Sequence, residues 1–302
     1  MDYAEAREAF FQTRPDDAPA HGWTARTTPG RRLRDALEPV ATICYWAEPS
    51  YDAYAEVGLD FLGGYVYGRA CVLGDADPAV AAAAFGVFEP GLVADLYAAA
   101  RDTCALGAVR AAKQSGAVAS LEQTVGRPDG LGDVVAVLAR GADAADTSGR
   151  ALSAGLAGMA RPEDQLAALW HLASLLREHR GDGHLAACTA AGLDGLEANL
   201  LTEMVVGWEP LAYTASRGWS EEAMSAGMSR LVSRGLVADG ELTDAGRALR
   251  EDVEDRTDAS VARVVEAIGD DLDETVDAVT GWGDAVVERG WFPPDPYKRA
   301  SG

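Results

Sequence analysis

Residues 164–200, DQLAALWHLASLLREHRGDGHLAACTAAGLDGLEANL, predict a helix, a polar turn and a second helix around which the chain is organised. Apolar residues recur at helical spacing on both sides of the segment 177–184, REHRGDGH. That segment holds six ionisable residues in eight positions, together with two glycines, and we interpret it as the turn. In this interpretation Gly181 ends the first helix and Asp182 caps the second.

The same segment concentrates acid–base chemistry. Three of the four histidines lie between residues 164 and 200. A carboxylate beside an imidazole can serve as a general base or a proton shuttle, with pKa values tuned by burial. The residues that we predict to be catalytic are Glu178, His179, Asp182 and His184. The alternative is a turn that only caps its two helices.

A second group of residues is predicted to bind a substrate. Glu38 lies in an apolar, aromatic stretch, so we expect it to be buried and paired with Arg69 or Arg177. His171 precedes His179 by eight positions, which places both on roughly one face of a helix. The predicted substrate-binding residues are Glu38, Tyr45, Trp46, Tyr65, Arg69, Trp170 and His171. Core packing is the alternative role of these aromatic side chains and of His171.

Composition and missing motifs limit the chemistry. The net charge of −22 opposes contact with nucleic acid or an anionic membrane. The sequence has neither a signal-peptide pattern nor an apolar run of about 18 residues, so we expect a cytoplasmic protein without membrane association. The sequence contains no nucleotide-binding motif (GxxxxGK[ST] or GxGxxG), no GxSxG motif of the kind that holds a hydrolase serine, and no recognised metal-ligand spacing. The four cysteines form no CxxC pair. We therefore predict no cofactor and no metal.

A different signal follows residue 220. Ser220 can cap a helix, and 236–243 then predicts a strand, an Asp-Gly turn and a second strand. This pattern resembles the winged helix of MarR-type regulators, and the matching residues are Arg230-Leu231-Val232, Arg234-Gly235-Leu236-Val237, Asp239-Gly240, Leu242-Thr243 and Ala245-Gly246.

The charge of this region opposes the DNA binding that the resemblance implies. Residues 220–258 contain ten Asp or Glu and five Arg, a net charge of −5, and the helix expected in the major groove begins Ser220-Glu221-Glu222. Phosphate contact needs Arg and Lys at this surface. We therefore predict that DNA is not a partner and that the module has a structural or pairing role, the latter in a homodimer.

From residue 31 to about 255 the chain resembles an actinobacterial family of roughly 300-residue helical proteins, described as MarR-like or helix-turn-helix proteins of unknown function. The resemblance is carried by Glu38-Pro39 with Tyr45-Trp46, Gly68-Arg69-Ala70 with Leu73-Gly74, Leu169-Trp170-His171, REHRGDGH, Gly192-Leu193-Asp194-Gly195-Leu196-Glu197 and Arg217-Gly218-Trp219. Ala41 stands where that family usually has histidine. Members often lie in natural-product gene clusters, so the resemblance implies specialised metabolism.

These signals predict an all-α fold with a helical N-terminal domain and a C-terminal winged-helix-like module carrying one small β-hairpin. The predicted parts are an N-terminal arm or linker (1–30), a helical ligand or catalytic domain (31–205), and a winged-helix-like domain with C-terminal helices and a proline-rich tail (206–302). Residues 64–88 and 150–174 share a pattern that we interpret as an internal duplication. Chance similarity between two Ala-rich helices is the alternative.

Two functions are compatible with the sequence. The first is a cofactor-independent enzyme of natural-product biosynthesis, which uses side-chain acid–base chemistry for elimination, cyclisation or hydrolysis of a small molecule in a helical pocket. The second is a ligand-responsive, MarR-like winged-helix transcriptional regulator. The acidic charge of 220–258 favours the enzyme, and the overall likeness to regulators favours the second function.

Overall fold

The computed structural model describes residues 3–11 and 28–295, which are helical apart from loops and one two-stranded sheet. The predicted all-α class with one small hairpin is confirmed. The helices before the wing are α1 Tyr3–Phe10, α2 Pro29–Trp46, α3 Glu48–Glu56, α4 Phe61–Ala70, α5 Pro78–Phe85, α6 Pro90–Thr103, α7 Leu106–Thr124, α8 Leu131–Asp143, α9 Ala151–Ala157, α10 Gln165–Ala190, α11 Gly195–Val206, α12 Ala212–Ala215 and α13 Glu221–Ser233. Strands β1 Val237–Ala238 and β2 Glu241–Leu242 precede α14 Asp244–Ser260, α15 Ala262–Ile268 and α16 Leu272–Glu288. Most of the predicted arm and the end of the proline-rich tail lie outside the described residues.

Helix α10 continues without a break through the segment that the sequence predicted as a turn. Asp164 starts the helix by accepting hydrogen bonds from the amides of Leu166 and Ala167 at 3.1 and 3.0 Å. The helix ends only at Ala190. The predicted turn at 177–184 is therefore wrong, as are the capping roles of Gly181 and Asp182.

The physical reason is that the polar side chains of 177–184 are mostly buried against other helices. Glu178, His179, Arg180 and Asp182 are all buried, and each finds a polar partner outside its own turn of helix. A polar composition therefore did not mean exposure to solvent here. The true break comes after Ala190, where Asp194 and Glu197 form a reciprocal capping box at the start of α11.

The buried apolar side chains form two main cores. The larger one, which we name the body, takes in α1–α9, the first half of α10, and α15 and α16, which follow the wing in sequence. The smaller one, which we name the winged module, takes in the end of α10, α11, α13, both strands and α14. Because α10 contributes to both cores, it joins the body to the winged module through one continuous helix.

The winged module has the hairpin that the Asp-Gly signal predicted. Val237 pairs with Leu242 and Ala238 with Glu241 in antiparallel register. Asp239 and Gly240 both have positive φ, at 51° and 79°, as a two-residue type I′ turn requires. No helix within the described residues is both long and apolar enough to cross a membrane.

Candidate functional site

A cleft lies where the body meets the winged module. Its volume is about 650 Å³, including the part open to solvent. The body contributes α4, α5 and α10 to its walls, and the winged module contributes α11. Helix α12 and the loop after it complete the wall. The residues that line it are Tyr65, Arg69, Phe85, Val87, Phe88, Arg177, Gly181, His184, Leu185, Ala198, Asn199, Thr202, Tyr213 and Arg217. The wall thus combines aromatic rings with three guanidinium groups.

Two of these guanidiniums belong to a buried chain of alternating charges. Arg69 binds Glu178 with two hydrogen bonds, Nε to Oε1 at 3.0 Å and Nη2 to Oε2 at 2.9 Å. Arg177 donates from Nη1 to Glu178 Oε1 at 2.9 Å and from Nε to Glu38 Oε2 at 3.1 Å. The predicted pairing of Glu38 with an arginine is therefore confirmed, with Arg177 as the partner. Two carboxylates balance two guanidiniums in this chain.

The charge chain keeps Glu178 ionised. Burial alone would raise the pKa of Glu178, but Arg69 and Arg177 outweigh it and lower the pKa to about 2. A carboxylate with such a low pKa is a weak base at neutral pH. The geometry thus indicates that Glu178 holds the guanidiniums of Arg69 and Arg177 in place at the wall of the cleft.

The third guanidinium, that of Arg217, stands outside this chain. Arg217 is 8% exposed, and within residues 3–11 and 28–295 no ion pair joins it to a carboxylate. Its Nη1 donates to Ser216 Oγ at 3.2 Å, whereas its buried Nε has no hydrogen-bond partner. The guanidinium carbon lies 4.4 Å from the ring centroid of Tyr213 and 5.0 Å from that of Phe88. The cleft therefore carries one positive charge in excess.

An apolar cavity adjoins the cleft. It has a volume of about 410 Å³, including open space, and shares Tyr65, Phe88 and Arg217 with the cleft. Its other lining residues are almost all apolar: Phe10, Trp46, Phe61, Leu62, Val66, Leu92, Val93, Leu96 and Ser216. Arg217 thus lies where the polar and apolar compartments meet.

The residues predicted to be catalytic point in different directions around α10. His184 lines the cleft, and its Nδ1 lies 3.1 Å from Thr257 Oγ1. Burial, followed by the charge of Arg250, lowers the pKa of His184 to about 3, so its imidazole is neutral. Of the four residues, Glu178 and His184 are therefore associated with the cleft.

The other two residues contact α9 and the loop that precedes it. His179 places Nε2 3.1 Å from the carbonyl oxygen of Asp146, and burial lowers its pKa to about 4. Asp182 accepts a hydrogen bond from the amide of Ser153 at 3.0 Å, so it caps α9 instead of its own helix. Burial raises the pKa of Asp182 to about 6. His179 and Asp182 are not among the residues that line the cleft.

The predicted substrate-binding residues also separate into groups. Tyr65 and Arg69 line the cleft, Glu38 reaches it through Arg177, and Trp46 lines the apolar cavity. The ring of Tyr45 packs 4.9 Å from that of Tyr65, on the core side.

Trp170 and His171 lie deeper in the body. Trp170 donates from Nε1 to the carbonyl oxygen of Ala41 at 3.2 Å. His171 is buried and has a pKa lowered to about 4, chiefly by burial. Neither residue lines the cleft or the apolar cavity.

The structure adds cleft residues that the sequence did not single out as a site. Among them are Phe85, Phe88, Asn199, Tyr213 and Arg217. Arg217 did stand in the Arg217-Gly218-Trp219 segment that carried the family resemblance, which was a usable signal. The others gave none, because the sequence does not show that residues so far apart meet at one cleft.

The exposed surface of the winged module offers little positive charge. Arg230 of α13 binds Asp194 and Glu197 at 2.6 and 2.9 Å, and Arg234 binds Glu197 at 3.1 Å. Glu221 and Glu222 are exposed at the start of α13, as are Asp239 and Glu241 at the wing. Both arginines are therefore committed to carboxylates of the module itself. Separately, no three His, Cys, Asp or Glu side chains gather to hold a metal ion in the part of the chain that the structure describes.

The helical architecture and the comparison with known families agree on a protein of the helix-turn-helix class. The profile of a helix-turn-helix family matches residues 30–293, which is most of the chain. The chain belongs to this helix-turn-helix family. No curated protein and no solved structure matches it.

Proposed function

We propose that this helix-turn-helix family protein is a cofactor-independent enzyme that transforms a small organic molecule in the cleft by side-chain proton transfer. The observation that carries the proposal is the position of Tyr65. It lines the cleft together with Arg69 and Arg177, whose guanidiniums are fixed by buried carboxylates. The resemblance to proteins found among natural-product genes favours a specialised metabolite as the substrate.

These groups suit an intramolecular cyclisation. Arg69 and Arg177 would bind the oxygen of a substrate carbonyl and stabilise the negative charge that develops on it. A substrate hydroxyl adds to the carbonyl carbon, so that a C–O bond forms and the C=O π bond breaks. The Tyr65 phenol gives its proton to the carbonyl oxygen and takes the proton lost by the hydroxyl. No atoms are gained or lost, and no cofactor takes part.

The test compares the wild type with Tyr65→Phe, which keeps the ring and removes the hydroxyl. Each purified protein is incubated with a metabolite extract of the source organism, and the products are followed by mass spectrometry. We expect the wild type to convert at least one metabolite into a product of equal mass, and Tyr65→Phe to lose this conversion. Tyr97→Phe is the matched control, because Tyr97 is a buried tyrosine that does not line the cleft.

Conversion by Tyr65→Phe at the wild-type rate would remove Tyr65 from the mechanism. The absence of any conversion by the wild type would contradict the enzyme proposal itself. A melting temperature measured for each variant ensures that lost turnover is not lost folding.

The second candidate is a ligand-responsive regulator, which the winged helix and the family favour. The acidic surface of α13 and the wing opposes it, because affinity for DNA depends on phosphate contacts from free Arg and Lys. We therefore expect no shift of DNA from the protein's own upstream region in a low-salt electrophoretic assay. Tight, sequence-dependent binding would favour the regulator over the enzyme.

A further inference from the structure

We infer that Arg217 anchors the acid group of a monocarboxylate ligand whose apolar part occupies the adjoining cavity. This inference rests on the proposed function, because it names the substrate class of the same cleft. The argument begins with charge. A buried guanidinium without a counter-charge is costly, and such groups in proteins are normally paired.

The other charges near the cleft are already balanced. Arg69 and Arg177 bind Glu178 and Glu38, and these carboxylates are fully engaged by the two guanidiniums. Of the three guanidiniums at the cleft, only that of Arg217 therefore has a positive charge that no carboxylate balances. A single excess positive charge matches the single negative charge of a carboxylate better than the double charge of a phosphate.

The Arg217 side chain is held in place before any ligand arrives. Its guanidinium packs on the rings of Phe88 and Tyr213. Its main-chain carbonyl accepts a hydrogen bond from the amide of Glu89 at 2.9 Å. Gly218 has a φ of +87°, a conformation that favours glycine, and a Cβ there would collide with the end of the Leu92 side chain. A fixed guanidinium loses little conformational entropy when it binds an anion.

The surroundings of Arg217 define the rest of the ligand. The polar cleft and the apolar cavity share Arg217, Tyr65 and Phe88. An acid group bound by the Arg217 guanidinium would therefore leave the attached carbon skeleton facing a wall of Phe61, Leu62 and Val93. Aromatic and aliphatic rings or chains gain free energy from such a wall because their apolar surface leaves water.

The experiment uses matched acids and amides as probes. Binding of 2-naphthoate and decanoate, and of their neutral amides, is measured by isothermal titration calorimetry. We expect the wild type to bind at least one acid about tenfold or more tightly than its amide, as a charge-assisted hydrogen bond implies. Arg217→Met keeps the length of the side chain and should abolish this preference without weakening amide binding. Arg217→Lys should retain part of the preference.

Two control variants localise the effect. Arg101→Met removes a surface guanidinium outside the cleft and should leave every probe unchanged. Leu92→Phe fills part of the apolar cavity and should weaken acid and amide alike. A melting temperature of Arg217→Met at or above that of the wild type would agree with a ligand-binding role, because an unpaired buried charge has then been removed.

The inference is overturned if no acid binds more tightly than its amide, or if Arg217→Met keeps the preference. A lower melting temperature of Arg217→Met with unchanged acid binding would make Arg217 a structural residue. The proposed function fails separately. Selective acid binding without any metabolite conversion would support Arg217 as the anchor of the acid group and contradict the proposed enzyme activity. Conversion that survives Arg217→Met would support the enzyme activity and contradict the role of Arg217.

Discussion

At the scale of single residues, Glu178 shows how burial changes the meaning of a charge. In a surface turn its carboxylate would have been a freely titrating acid–base group. In the middle of α10 it accepts three hydrogen bonds from Arg69 and Arg177, and its pKa falls to about 2. Its folded-state pKa lies below its ordinary value of 4.5, so the stabilisation is present above pH 4.5 and is lost as the pH falls towards 2.

Glu178→Gln should therefore destabilise the protein strongly at pH 7. The substitution keeps the shape and removes the charge that compensates two buried guanidiniums. Breaking a buried pair in this way costs about 3–5 kcal/mol, which urea unfolding would measure. Glu122→Gln is the matched control, because Glu122 pairs with Arg127 at an exposed site. We expect little change there, since exposed ion pairs contribute little. An equally small effect at position 178 would contradict the buried charge chain.

At the scale of elements, the continuity of α10 makes opposite predictions for its two glycines. Gly181 has room for a side chain, because a Cβ there would meet only Glu178 Oε2 at 3.7 Å. Alanine is more favourable than glycine in a helix by about 1 kcal/mol, so Gly181→Ala should raise the free energy of unfolding by up to that amount. At Gly183, a Cβ would collide with Ser260 Oγ and lie 2.6 Å from Arg150 Nη1. Gly183→Ala should therefore be destabilising.

Chemical denaturation of the two variants tests both signs at once. If residues 177–184 formed a turn with Gly181 in a left-handed conformation, Gly181→Ala would be strained and destabilising instead. A loss of stability at position 181 would thus contradict a continuous helix. A gain at position 183 would contradict the close packing of α10 against Arg150 and Ser260.

Local signals predicted the ends of several elements well. Ser220 caps α13 as its sequence position indicated, and Asp239-Gly240 forms the predicted hairpin turn. Each of these depends on atoms within a few residues. The turn prediction at 177–184 failed because the partners of Glu178 and Asp182, at Arg69 and Ser153, are distant in sequence. Periodicity and composition contain no information about them.

In the candidate site, too, local signals could be identified in the sequence, whereas contacts between distant residues could not. Sequence reasoning found Glu178 and His184 because they lie in a segment dense in ionisable residues. It found Arg69 as a possible partner of Glu38, and Tyr65 as one of several aromatic residues that could line a pocket. It noted Arg217 only within the Arg217-Gly218-Trp219 segment of the family resemblance and did not predict it as a site residue, since an isolated arginine in a loop has no local pattern that indicates binding. The importance of Arg217 depends on burial without a counter-charge, which is a property of the packed structure.

At the scale of the whole molecule, the distribution of ionisable groups makes stability depend on pH. His171, His179 and His184 are buried and neutral, with pKa values lowered to about 4, 4 and 3, chiefly by burial. Asp182 has its pKa raised to about 6, and burial also raises the pKa of Glu203. As the pH falls, protonation of the three histidines in the unfolded chain lowers the stability of the protein, whereas protonation of Asp182 and Glu203 in the folded chain raises it.

The protein should lose stability as the pH falls from 6.5 to 5. In this range the unfolded chain protonates the three histidines near pH 6.5, whereas the folded protein keeps them neutral. The histidines therefore take up as many as three protons when the protein unfolds. The carboxyl groups of Asp182 and Glu203 bind protons more readily in the folded state, so they release up to two protons on unfolding and reduce the net uptake. A net uptake of one to three protons corresponds to about 1.4–4 kcal/mol lost per pH unit.

Urea unfolding at several pH values between 5 and 7 measures this slope, and His171→Phe tests its origin. His171 is buried in the body away from the cleft, so the variant removes one titrating imidazole without touching the candidate site. Its absolute stability can change for reasons of packing, but its slope with pH should fall by about 1.4 kcal/mol per unit. Stability that stays constant or rises between pH 6.5 and 5 would contradict the burial of neutral histidines. An unchanged slope in His171→Phe would mean that this histidine is already protonated, or solvated, in the folded protein.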